Sequence, residues 1–230
     1  MQKIKKYILK NDGFSLVEVA IALIVIGVIL GGVLKGRQLI ENARMNVLMR
    51  NVDMYRVAFH LFQETYGALP GDFHLASNQI DGRLRNGNND GIISGQGLNP
   101  QDEAGQAWRH LSSAHLISDV GALPQFGHAG RGKGVPHEKI GGVMTVRYAP
   151  DVHMPGHWLL LGQENGAEGD GALLTPRQAQ TICQKMDSSD PMYGRVQGRH
   201  GANVAPEDCI KNGRFNTQND HPACVLYFQL

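Results

Sequence analysis

Residues 13 to 32 read GFSLVEVAIALIVIGVILGG, and no other stretch restricts the fold so strongly. A run of about twenty apolar residues is long enough to cross a bilayer. Within it Glu18 is the one ionisable side chain, and a carboxylate held in hydrocarbon is costly unless something pairs with it. The preceding block, MQKIKKYILKNDG, carries Lys3, Lys5, Lys6 and Lys10. Positive charge on that side keeps the leader in the cytoplasm and sends the remainder across the membrane. A secretory signal has a shorter apolar core and an Ala-x-Ala-like site after it, and neither feature is present. A plain uncleaved anchor fits these facts but gives Glu18 no purpose.

Beyond Gly36 the pattern changes. Met45, Leu48, Val52, Tyr55, Phe59, Phe62 and Tyr66 step by three and four, which places them on one stripe of an amphipathic helix. Arg44, Arg50, Asp53, Arg56 and Glu64 fall largely off it. No proline interrupts residues 14 to 66, so the spacing predicts one helix of about 50 residues, about 80 Å long at ~1.5 Å per residue. Residues 14–34 form its membrane half and residues 35–66 its amphipathic half. Gly27, Gly31, Gly32 and Gly36 provide four-residue spacings of small residues, which allow close helix contact in lipid and also weaken the helix locally.

Gly67 and Pro70 end the helix, and residues 67–230 read as an exported globular domain. A short helix is predicted from Pro100 to about Leu116, with Ala104, Ala107, Trp108, Leu111 and Leu116 facing inward. Another begins at Thr175, a capping residue followed by Pro176. GGVMTVRYAP, HWLLLGQ, GRVQGR and ACVLYFQL read as strands. Helices segregated from strands in this order predict an α+β domain, with a small antiparallel sheet laid on the long helix.

A basic leader, then Gly13-Phe14-Ser15-Leu16-Val17-Glu18, then an apolar helix resembles the N-terminus of type IV prepilins and the pseudopilins of type II secretion. The resemblance implies that a prepilin peptidase removes residues 1–13, cutting between Gly13 and Phe14, and methylates the new terminus. It implies a pilin-like fold and a structural, non-enzymatic role in a polymer of identical or related subunits, served by an inner-membrane assembly platform. The precursor would cross the bacterial inner membrane once, leader in the cytoplasm and domain in the periplasm, before entering a filament. Glu18 of one subunit would then meet the cationic Phe14 amine of the next. The resemblance also implies a C-terminal disulfide: of three cysteines, which allow three pairings, it points to Cys209 with Cys224 and leaves Cys183 buried.

Asn86-x-Asn88-x-Asp90-Gly91 has the alternating oxygen ligands of a calcium loop. Asn86, Asn88 and Asp90 would supply side chains, Ile92 a carbonyl, and Glu103 or Asp102 the closing acid, because the position twelve residues into the loop is Gly97. An Asn/Gly-rich turn explains the same residues. GHAGRGKG, residues 127–134, imitates a phosphate loop but has Gly134 where the magnesium-binding hydroxyl belongs. His153 and His157 are separated by Pro155 and Gly156, which denies them a shared helix face. A net charge of +1 gives no electrostatic case for nucleic acid. The competing expectation is a membrane-anchored exported binding protein or enzyme that keeps its leader.

Overall fold

A computed structural model describes residues 15–121, 134–150 and 153–230; GHAGRGK at 127–133 and the cleavage pair Gly13 and Phe14 lie outside them. The chain divides into two units, Met1–Ala43 and Arg44–Leu230. Helix α1 runs from Leu16 to Tyr66. In the first unit its apolar side chains are exposed, from Leu16 and Val17 through Ile29 and Leu30 to Leu39 and Ile40, and the helix is long and apolar enough there to cross a membrane.

In the second unit one face of α1 is buried: Met45, Leu48, Val52, Tyr55, Ala58, Phe59 and Phe62. The three-and-four spacing puts these residues on a single stripe, and the apolar layer they meet comes from α3 (Glu103–Ser113) and the sheet. Trp108 of α3 is fully buried and packs edge-on against Tyr55 and Phe59, with ring centroids 5.1 and 5.6 Å away. Between the two helices lies the short α2, Ala76–Gln79.

The main sheet is antiparallel throughout. Its strands are β1 (Val143–Ala149), β2 (Gly156–Asn165), β3 (Glu168–Gly171), β4 (Val196–His200) and, last in the chain, β7 (Cys224–Gln229). The order is β1-β2-β7-β4, with β3 also pairing with β2. Alternate residues of β2 divide between the faces: Leu159 and Leu161 join the core shared with α1, while Trp158 packs with Ala149 and Tyr227 on the other side. Helix α4 (Pro176–Met186) starts with a full capping box, in which the Thr175 hydroxyl accepts the Gln178 N–H and the Gln178 side chain accepts the Thr175 N–H. The expected α+β arrangement is therefore present.

Cys209 and Cys224 are disulfide-bonded, tying the first residue of β7 to the start of a small hairpin, β5 (Ile210–Lys211) and β6 (Arg214–Phe215). Asn212 and Gly213 turn that hairpin with φ of 51° and 72°, the left-handed pair a two-residue hairpin turn requires. Cys183 is free and buried, and burial pushes its thiol up to about 12, which leaves it inert as a nucleophile.

Truncating Trp108→Ala removes the ring that joins α3 to α1 and is expected to destabilise the domain by about 3–5 kcal/mol. Urea unfolding of the detergent-solubilised chain measures this.

Candidate functional site

Ser15 immediately precedes α1 and Glu18 lies in its first turn. The Ser15 N–H donates to Glu18 Oε2 at 2.9 Å, and the Glu18 N–H donates to Ser15 Oγ at 3.2 Å. This reciprocal pair is a capping box: two backbone donors with no intrahelical partner are satisfied by side chains, and the carboxylate sits at the positive end of the helix dipole. Ser-x-x-Glu is the sequence signature of such a cap. The side chain thus has a local structural role that a neutral glutamine can also fill, so its charge is the separable part of its chemistry.

The asparagine-rich loop folds around two acids from elsewhere in the chain. Asp72 is 1% exposed and accepts the N–H groups of Asp90 and Gly91 at 3.0 and 2.9 Å. Glu103, in the first turn of α3, accepts the Asn88 N–H at 2.9 Å on one oxygen and the Ser94 N–H and hydroxyl at 3.0 and 2.8 Å on the other. Asn89 takes φ of 61° and Gly91 φ of 84° within this turn, and a Cβ at Gly87 would collide with the Asp72 backbone.

Asp72, Asp90 and Glu103 bring one carboxylate oxygen each within 4.8 Å of one another. Asp90 and Glu103 of the calcium expectation therefore come together, with Asn88 bonded to both. Asn86 is directed instead to the Ser77 N–H, 2.9 Å away. Asp72 lies 14 residues before Asn86, the first residue of the motif, and no regular spacing links the two. Carboxylates are hard oxygen donors suited to calcium, but the oxygens of Asp72 and Glu103 already accept loop donors. These bonds account for the loop's conformation. Burial pushes Asp72 upward as an acid, opposed by the Gly91 N–H and reinforced by the charge on Glu103.

His110, fully buried on α3, clamps the same loop from beneath. Its Nδ1 accepts the Gly71 N–H at 2.9 Å and its Nε2–H donates to the Arg85 carbonyl at 2.8 Å, an arrangement only the neutral ring can make. Burial holds its pKa down to about 4. His157 accepts the Ile93 N–H at 2.9 Å, while the His153 ring lies tilted against Tyr193 with ring centroids 4.2 Å apart. The two histidines point to different partners and do not form a metal pair.

Another buried carboxylate among the described residues, Glu138, receives the Asn51 amide at 2.8 Å and the Tyr55 hydroxyl at 3.0 Å, both from α1. Burial pushes its pKa up.

Residues 8–34 match the family model for the prokaryotic N-terminal methylation motif, the hallmark of type IV prepilins and pseudopilins. No curated protein matches the chain, and no solved structure does. Motif and apolar helix together fit a membrane-anchored precursor.

Because the folded state keeps His110 neutral down to about pH 4 while the unfolded ring protonates near 6.5, the unfolded state takes up the extra proton between those values. His110 therefore contributes most above pH 6.5 and loses its contribution as the pH falls to about 4. The stability difference between wild type and His110→Ala should narrow by about 3 kcal/mol over that interval, measured by urea unfolding at a series of pH values. The two rising carboxyls are common to both proteins and cancel in the difference.

Proposed function

We propose, from the methylation motif at residues 8–34, that this chain is a structural subunit of a type IV pilus-like filament or a secretion pseudopilus. The leader ends at Gly13, Phe14 becomes the methylated terminus, and α1 serves first as membrane anchor and then as the element through which subunits polymerise. The precursor sits in the inner membrane with its body in the periplasm; prepilin peptidase and an assembly platform act on it; its partners are copies of itself or related subunits. The protein works by assembly and not by catalysis.

The observation that carries this reading is the position of Glu18, inside the matched motif and inside the apolar run. The cationic amine that cleavage creates at Phe14 of a neighbour supplies the counter-charge, and a carboxylate that gains a partner only in the polymer favours polymerisation over the lone membrane-bound state.

The capping box makes a discriminating test possible. Glu18→Gln preserves the acceptor for the Ser15 N–H and removes only the charge; Glu18→Ala removes both. If the charge drives assembly, both variants are cleaved and folded but yield no filaments in the sheared fraction. Normal filaments from Glu18→Gln, with loss only in Glu18→Ala, would reduce Glu18 to a helix cap. Leaders retained on all three chains would favour the anchored binding protein or enzyme.

A further inference from the structure

In the second unit α1 has an apolar column besides the buried one. Val47, Arg50, Met54, Val57, Leu61 and Glu64 step alternately by three and four, the spacing of a seam between helices. Met54, Val57 and Leu61 are 46%, 57% and 44% exposed, and none belongs to the core that α1 forms with the sheet. The same spacing runs through the sequence of the first unit as Val19, Ala22, Ile26, Ile29, Val33, Gly36, Ile40 and Ala43. A heptad repeat sustained over this length suits another helix better than it suits a sheet or a small ligand.

Two positions in the column are charged. Arg50 and Glu64 are exposed, and neither has an ion pair among the described residues. They are 14 residues apart at the same heptad position, a displacement of about 21 Å along a helix rising ~1.5 Å per residue.

We propose that this column takes the same column of a second copy of the chain, parallel and displaced by two heptads, with Arg50 of one subunit opposite Glu64 of its neighbour. The inference rests on the filament reading and specifies one contact within it. At that displacement Val47 meets Leu61, Ile40 meets Met54 and Ala43 meets Val57, so every other matched seam position is apolar or small, save Gly36 against Arg50. With no displacement Arg50 meets Arg50 and Glu64 meets Glu64, and like charges across a seam repel. With one heptad each charge meets Val57. The Glu18 to Phe14 contact corresponds to a four-residue displacement and so belongs to a different neighbour, as a filament with several neighbours per subunit permits.

The test uses the full-length chain in its own membrane, reading leader removal, sheared filaments and cross-links between subunits. Arg50→Glu should be cleaved and folded yet lose filaments, and Arg50→Glu with Glu64→Arg should regain them. Introduced thiols probe the geometry: Val47→Cys combined with Leu61→Cys should cross-link between subunits, while either substitution alone should not. Filaments from Arg50→Glu at the wild-type level, or cross-linking of Val47→Cys alone, would overturn the staggered contact and leave the filament reading standing. A wild-type chain that keeps its leader and forms no filament would overturn both.

Discussion

The burial of one face of α1, from Met45 to Phe62, is the constraint on which the exported domain depends. Sheet and α3 converge on that face: Leu159 and Leu161 of β2 from one side, and Trp108 against Tyr55 and Phe59 from the other. Polar ties then fix the helix at its margins. Asn51 and Tyr55 reach the buried Glu138, and Arg56 donates to the Gln229 carbonyl at the end of β7 at 2.7 Å. The two bonds offset part of what burying the Glu138 carboxyl costs, and loss of either donor leaves more of that cost uncompensated, so these ties oppose any shift of the helix in its seat.

The same helix must satisfy two solvents. Its first unit exposes apolar side chains almost without interruption, whereas its second unit hides one column against the domain and leaves another in view. Glu18 stands at the start of the apolar part with a double task. As a cap it closes the first turn using Ser15; in the proposed filament its charge would gain an ionic partner from another subunit. A side chain whose local bonds can be kept while its charge is removed lets helix formation be separated from assembly.

Much of this was legible in the sequence because long periodic segments dominate their own structure. The stripe from Met45 to Phe62, strands β1, β2, β4 and β7, and the Thr175 cap with Pro176 all follow from local pattern. What local pattern does not reveal depends on distant pairings or very short elements. Asp72 enters the loop through backbone bonds to Asp90 and Gly91, which no spacing announces. His110 bridges Gly71 and Arg85 from a helix where its periodic position suggests only packing. The β5 and β6 hairpin is two residues per strand; its Asn-Gly turn was visible, but the flanking runs were too short to register as strands. The alternating Asn-Asn-Asp pattern suits a calcium loop and an Asn/Gly-rich turn alike, and its backbone is ordered by hydrogen bonds to Asp72 and Glu103.

In the proposed function the apolar helix belongs to a processed subunit and not to a permanent anchor. The intact mass of the protein extracted from its native membrane, with sequencing of its N-terminus, tests this most directly. A processed subunit gives a mature chain that starts at Phe14, lacks the thirteen residues from Met1 to Gly13 and carries one added methyl group. A chain that still begins at Met1 would contradict it.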